Sequence, residues 1–367
     1  MTNSPLRVLI LGATGVFGSR LVERLAGEAG IELILAARNR SKLDRLGART
    51  CPHAEVRPLD RQRIGPADLV GVDIVVDAAG PFQGSDYAVI EAALAAGIHY
   101  IDLADGREFV GAISSFDDRA KRAGVSVFSG ASSVPALSHA VIDRLTAGWQ
   151  SIESIKVGIF PGNRAPRGLS VVEAILSYAG KPVRVFREGR WQVVPGWGRT
   201  HRWDIAGIGK RWASVCDTPD QDLMVERYRP TRAAEFFAGV ELPVMHLGLA
   251  LLSLPVRLKL IASLRPFAPL LHRMADWLVR FGDDVGAMEV RVSGLDAKGA
   301  ATQAGWTLIA RGNCGPYVPT LACVAMLRRM RDGSAPAAGA SACVGLLDLD
   351  EFTRDFNALG IERRSWR

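Results

Sequence analysis

The stretch VLILGATGVFG, residues 8 to 18, constrains the fold more than any other part of the chain. A wholly apolar run breaks into glycines at 12, 15 and 18, and a helical pattern follows. A strand stopping at Leu11 and a helix starting near Val16 leave a concave set of backbone N–H groups at the positive end of a helix dipole. Glycine is required where a Cβ would block the close approach of a phosphate, or of helix to strand. The spacing Gly-x-x-Gly-x-x-Gly is a variant of a dinucleotide fingerprint, and residues Gly12, Ala13, Thr14, Gly15, Val16, Phe17 and Gly18 are the expected pyrophosphate loop. The same turn could be merely structural. Its position in the first strand–helix unit of a parallel sheet favours the binding role.

That parallel sheet is read from the first 130 residues. Val8–Leu11, Leu33–Ala36, Val72–Asp77, Ile98–Asp102 and Val125–Phe128 are short apolar runs separated by segments of helical period, each closed by a glycine. Strands that are apolar throughout and alternate with helices imply a doubly wound α/β sheet covered on both faces. From about Ser151 the texture changes to apolar–polar alternation, as in SIKVGIF, PVRVF, RWQVVPG, AMEVRVSG and QAGWTLIARG, which predicts a mainly antiparallel sheet with one wet face. Helices are expected at Ser170–Tyr178 and over most of Leu242–Phe281. A final helix in PYVPTLACVAMLRRMRDG carries an apolar stripe of Leu321, Val324, Ala325 and Leu327, and a last strand and helix are expected in VGLLDLDEFTRDFNALG. At 367 residues, two cores are expected. The divisions are 1–132, a nucleotide-binding domain; 133–314, an inserted α+β domain; and 315–367, a return onto the first.

The second strand ends in LAARNRSKL. An acid there would accept hydrogen bonds from both hydroxyls of a ribose, but Ala36, Ala37 and Arg38 occupy the positions. A carboxylate repels a 2′-phosphate, whereas Arg38 attracts one. Arg38, with Asn39 and Lys42 beside it, therefore points to NADP(H) in preference to NAD(H). The alternative is a solvated basic first turn, which suits Arg40 and Lys42 as well. The fourth strand ends VVDAAGPFQG. Ala78, Ala79 and Gly80 leave room for the ribose, and Pro81 and Phe82 bend the chain over the nicotinamide side; tight packing would also ask for small residues here.

A net charge of +7, scattered in ones and twos, argues against nucleic acid as a partner. The five cysteines show no Cys-x-x-Cys pair and no metal-ligand spacing, so reduced thiols, no metal and a cytoplasmic setting are expected. The opening MTNSPLRVLILGATG is expected to carry no removable leader. The uncharged run LPVMHLGLALLSLPV, residues 242–256, is shorter than the roughly 20 residues of a membrane span. A buried or substrate-covering helix is the first expectation. Peripheral membrane contact through 242–273 is the alternative, with Arg257 and Lys259 suiting either.

GATGVFGSRLVERLA, VVDAAGPFQGSDYAVIEAALAAGIHYIDLADGREFV, FSGASSVPALSHAVIDRL and GPYVPTLACVAMLRRMRDG together resemble the saccharopine dehydrogenase-like oxidoreductases, over most of the chain and least in residues 151–285. The resemblance implies a Rossmann domain that uses NAD(P), an inserted α+β domain, frequently a homodimer, and redox chemistry at a C=N or C=O bond. No carboxylate-binding arginine set can be placed, so the substrate does not transfer with the fold.

Hydride transfer needs an anchored small-molecule substrate and one managed proton. YIDLADGREF supplies Tyr100, Asp102 and Asp105, of which Asp105 lies beyond the strand end; FSGASSVPALSHA adds Ser132, Ser133 and His139. Asp105 and His139 are the candidate catalytic residues. Their alternatives are a helix cap and a satisfied buried histidine. No Tyr-x-x-x-Lys pair or Gly-x-Ser-x-Gly nucleophile turn is present. Trp191, Trp197, Trp203, Trp212 and Trp306 suit an apolar pocket wall and an antiparallel core equally. The reading is an NADPH-preferring oxidoreductase acting on a small or apolar substrate. Its rivals are a membrane-peripheral or regulatory dinucleotide-binding protein without net turnover, and an isomerase that uses its cofactor transiently.

Overall fold

The computed structural model describes residues 4–367. The first half builds β1 (Leu6–Leu11), α1 (Val16–Leu25), β2 (Ile31–Ala37), α2 (Arg40–Thr50), β3 (Glu55–Pro58), β4 (Ile74–Asp77), α3 (Ala88–Ala96), β5 (His99–Asp102), α4 (Arg107–Gly111), α5 (Asp117–Ala123) and β6 (Ser126–Ser129). The buried β1, β2, β4 and β6 are the apolar runs of the sequence; β3, half-exposed, has no such signal. Gly97 and Gly124 end α3 and α5 in the left-handed conformation, at φ +67° and +68°, where a Cβ would be strained.

The chain continues through α6 (Ser138–Thr146), β7 (Ser151–Phe160), α7 (Leu169–Tyr178), β8 (Pro182–Arg187), β9 (Arg190–Pro195), β10 (His201–Ile205), β11 (Gly209–Val215), α8 (Asp220–Tyr228), β12 (Ala233–Ala238), α9 (Pro243–Leu252), α10 (Leu254–Arg257), α11 (Ala268–Leu278), β13 (Gly286–Leu295) and β14 (Ala301–Ala310). It closes with α12 (Val318–Arg331), β15 (Gly339–Ala342), α13 (Thr353–Ala358) and β16 (Glu362–Trp366). The last helix falls within the expected segment as α13, but the last strand differs from expectation. Val344–Leu347 is irregular, the strand lies earlier as β15, and the wet segment ERRSW pairs with β14 as β16.

Two compact units result: residues 1–137 with 316–347, and residues 138–315 with 348–367. The carboxyl-terminal segment is thus shared between them. In the first unit the order β15-β6-β5-β4-β1-β2-β3 is parallel throughout. The chain runs outward from β1 to β3 and resumes at β4 on the other side of β1, which makes the carboxyl edge between β1 and β4 a topological switch point. Helix α12 packs against α1: the Tyr317 hydroxyl donates to Glu23, and Arg328 pairs with Glu28 at 2.6 Å. Its burial is not a stripe but extends over every residue from Thr320 to Leu327.

The second unit holds a nine-stranded sheet, β10-β11-β12-β7-β13-β14-β16 with β8 and β9 joined through β12, antiparallel except for β12 beside β7. Phe160, Val183, Val185, Val194, Trp203, Val215 and Phe237 form a core on it. Trp197, Trp203 and Trp306 are all at most 3% exposed and build core, whereas Trp191 is 39% exposed and Trp212 is half-buried. Residues 242–281 leave and return at one anchor: a Glu241 carboxylate oxygen accepts the N–H groups of Asn163 (2.6 Å) and Asp283 (2.9 Å).

Candidate nucleotide-binding and catalytic site

The three glycines of the first turn divide their labour. Gly12 has φ +81°, and a Cβ on it would stand 2.9 Å from the backbone of Ala79 on the neighbouring strand's extension. A Cβ on Gly18 would lie 2.1 Å from the Gly12 carbonyl oxygen, so only glycine lets α1 pack this close to the turn. A Cβ on Gly15 would meet only the Gly12 oxygen, at 3.1 Å, and is otherwise open. The turn's N–H groups are partly engaged: Gly12 and Ala13 both donate to Ala36 (2.8 and 3.0 Å), and Gly15 donates to Gly12 (2.9 Å). The first turn of α1 has no side-chain cap and no acid. Its amides, which have no acceptor within the helix, face a space lined by glycine. A diphosphate fits that donor set and that open Cβ position.

At the end of β2, Arg38 is exposed, as are Asn39, Arg40 and Lys42. The Asn39 side chain caps α2 by accepting the Lys42 N–H at 3.0 Å. Arg40 pairs with Asp44 at 3.0 Å. The side chains of Arg38 and Lys42 stand in solvent at the same helix start, so two cations are presented there, while the nearby Asp44 carboxylate is engaged by Arg40.

Beyond β4, Ala78 and Ala79 are half-buried and Gly80 is exposed. Phe82 turns its side chain into the protein at this bend. Its ring is 4% exposed, packed 5.2 Å from Phe109 with the Arg61 guanidinium 5.3 Å from its centre. Beneath this loop Asp77 is fully buried, paired with Arg61 at 2.7 Å and accepting the Ala79 N–H at 3.0 Å. Burial pushes the Asp77 carboxyl up against the opposing pull of Arg61. Nothing in the sequence marks Arg61, which lies in a polar stretch without periodicity. Asp77 stands in register with Asp102 across β4 and β5. Asp102, also buried, accepts N–H groups from Ala104 (2.9 Å) and Gly130 (2.7 Å) and the Tyr100 hydroxyl (3.0 Å). Burial raises its pKa to about 6 in spite of those donors. Both carboxyls therefore stiffen the strand ends from within.

Asp105, one turn further, is exposed, and its carboxylate accepts from the Gln83 side chain at 3.1 Å. Although the residue as a whole is exposed, neighbouring protein withholds water from its carboxyl and raises the pKa. Ser132 and Ser133 are buried. His139 falls in the second unit and is wholly buried on α6, stacked on Tyr228 with ring centres 5.2 Å apart. It faces Asp220 across 3.7 Å, and the Tyr228 hydroxyl donates to Asp143 at 2.9 Å. Burial drives His139 down to about 3 and Asp220 up to about 7, so between those values the two face each other largely uncharged. Neither ring nitrogen of His139 has a hydrogen-bond partner. Enclosed in this way, the imidazole reaches no solvent.

On the second sheet a groove of about 500 Å³ runs over the wet face. Its charges answer one another: Arg187 with Glu235, Arg232 with Glu153 (3.2 Å) and, at its side, Arg291 with Glu289 (2.7 Å). With Lys156 and Glu188 also in the lining, four cations face three carboxylates there. Among the described residues no group of three His, Cys, Asp or Glu side chains could hold a metal ion.

Residues 8–128 match the saccharopine dehydrogenase NADP-binding domain family. No curated protein matches the chain. Among solved structures, the apo L-Glu-forming saccharopine dehydrogenase of Saccharomyces cerevisiae superposes with a TM-score of 0.69 at 14% identity, over 99% of this chain and 100% of that one. The homospermidine synthase of Legionella pneumophila, solved with NAD, gives 0.61 at 11% identity, over 99% and 91%. At such identities the two structures speak for the fold. Residues 8–128 thus match a saccharopine dehydrogenase NADP-binding domain, and the chain shares its fold over nearly its whole length with these two enzymes.

Proposed function

We propose that the protein is an NAD(P)-dependent oxidoreductase that prefers NADPH and reduces, or forms by oxidation, a C=N or C=O bond of a small or apolar substrate. The observation that carries the reading is the uncapped amino terminus of α1, set over Gly15 at the switch point of a parallel sheet. The amides of Thr14, Val16 and Phe17 would hold the pyrophosphate. Arg38 and Lys42 would hold a 2′-phosphate, and the backbone of Ala78 to Pro81 would flank the ribose. The bound dinucleotide supplies a hydride donor or acceptor.

The chain's own contribution is positional and protonic. Asp77 and Arg61 fix the loop on which Ala79 lies. Asp105 is the carboxyl that exchanges a proton with solvent and, through Oδ2, with a bound substrate; Gln83 orients it through Oδ1. Its raised pKa brings it closer to the pH at which a carboxyl can both give and take a proton. His139, closed off from solvent, is left out of that role.

Titrating the purified protein with NADPH and NADH, followed by nicotinamide fluorescence, tests the reading. NADPH binding well below millimolar, stronger than about −4 kcal/mol, is expected, and failure of both to bind overturns it. Binding without oxidation of NADPH by any member of a panel of imines and ketones would reduce the domain to a ligand-sensing module.

A further inference from the structure

Of the eighteen large hydrophobic side chains exposed among the described residues, twelve lie between Val244 and Phe281. That concentration in about a tenth of the chain sets this surface apart from ordinary scattered exposure. It is also ordered by helix geometry. On α11 and its extension, Leu270, Met274, Trp277 and Phe281 recur at i, i+4, i+7 and i+11 and form one outward stripe, while Ala268 and Ala275 are buried. On α9 and α10, Val244, Leu247, Leu251, Leu254 and Leu258 form a second stripe, and His246, Ser253 and Val256 are buried. Each helix thus turns an apolar stripe to water on the side opposite the residues it buries. Both pack at α7: α11 lies against it, and Val256 fits against Gly180 at its end.

We propose that residues 242–281 form a docking surface that lies in the plane of an anionic lipid bilayer. Charge selects the occupant. Within 242–281 the chain carries Arg257, Lys259, Arg265, Arg273 and Arg280 against a single acid, Asp276, and all five cations are exposed. A second copy of this face would bring those cations against their own kind, whereas lipid phosphates complement them. Arg273 and Arg280 flank the α11 stripe, where long stems can lie along apolar surface with their charges at the headgroups. Trp277, 77% exposed, is the residue type that settles at a membrane–water boundary. With α9 and α11 only ten and eleven residues long, and no described helix long and apolar enough to cross a membrane, the segment lies on the bilayer and does not span it. The anchor at Glu241 holds both ends of the excursion together, so the surface is presented by a fixed frame.

Co-sedimentation of the full chain with vesicles tests this. Vesicles containing phosphatidylglycerol should carry the protein down, and pure phosphatidylcholine vesicles should not. The variant Lys259→Gln/Arg273→Gln/Arg280→Gln should weaken partitioning by about a hundredfold, taking each cation as worth roughly fivefold. Leu270→Ser/Trp277→Ser should abolish it, with an unchanged far-UV circular dichroism spectrum in both variants. No sedimentation with either vesicle, equal sedimentation with both, or wild-type binding by the charge variant overturns the proposal. So does a concentration-dependent dimer that Leu270→Ser/Trp277→Ser dissolves in the absence of vesicle binding. The readout needs no nucleotide, so its failure would leave the oxidoreductase reading standing.

Discussion

Arg61 and Asp77 form a nearly buried ion pair, Nε to Oδ2 at 2.7 Å, directly beneath the loop that begins at Ala78. Removing one partner leaves the other as an uncompensated buried charge, which costs more than the pair itself contributes. Arg61→Met should therefore lower unfolding free energy by about 3 to 5 kcal/mol, and Arg61→Met/Asp77→Asn should recover much of the loss. Urea denaturation of the two variants measures this. A double variant no more stable than the single one would show that the pair is not the source of the cost.

The glycine turn separates packing from binding. In Gly18→Ala the new methyl meets the Gly12 carbonyl at 2.1 Å, so α1 must shift, and a loss of about 1 to 3 kcal/mol is expected. In Gly15→Ala the methyl meets only one atom, at 3.1 Å, so stability should change little while the methyl stands where a phosphate would approach. Thermal unfolding and NADPH titration of both variants should give a destabilised protein in the first case and a stable, weakly binding one in the second. A Gly15→Ala protein that binds NADPH as the wild type does removes the turn from the nucleotide site.

These two sites were unequally legible in the sequence. The glycines could be read because strands buried on both faces are apolar throughout, so the break at Gly12 is conspicuous. Arg61 could not, because its partner lies sixteen residues away on another element and nothing local marks a long-range pair. The short strands β3 and β16, EVRP and ERRSW, escaped because edge strands in water carry no apolar alternation. For α12 a stripe was expected. Thr320, Cys323 and Met326 complete an apolar circumference instead, and the helix is buried all round as far as Leu327. The tryptophans were undecidable from sequence, since an indole fills a core and lines a pocket with the same chemistry. The position of His139 in the chain suits a proton donor; only the packing of Tyr228 and Asp220 around it shows how fully it is enclosed.

Arg38 is the residue on which cofactor preference is expected to turn. It is exposed at the end of β2, beside the exposed Lys42, so an added carboxylate would sit where a 2′-phosphate is otherwise attracted. Arg38→Asp should move the ratio of NADPH to NADH dissociation constants by about tenfold or more toward NADH, equivalent to about 1.4 kcal/mol. Stability should be unaffected, as an exposed side chain without partners contributes little to it. Parallel titrations with the two nucleotides give the ratio directly, and an unchanged ratio would show that Arg38 does not read the phosphate.

His139 and Asp220 oppose each other in the dependence of stability on pH. The folded histidine titrates near 3 against an ordinary 6.5, chiefly because burial disfavours its cation. Between those values the unfolded chain holds the extra proton, so the histidine makes stability rise with pH. The folded aspartate titrates near 7 against an ordinary 3.8, again through burial. There the folded chain holds the extra proton, and stability falls as pH rises through that window. The windows overlap from roughly pH 4 to 6.5, where slopes of up to about 1.4 kcal/mol per pH unit cancel. The wild-type contribution from this pair should therefore be flat there. His139→Phe should leave the falling slope alone, and Asp220→Asn the rising one, so the two variants should diverge in opposite directions when urea unfolding is measured across the overlap. Equal slopes in both variants would mean that the pair does not titrate as two separately buried groups, and that the proton is shared between them when folded.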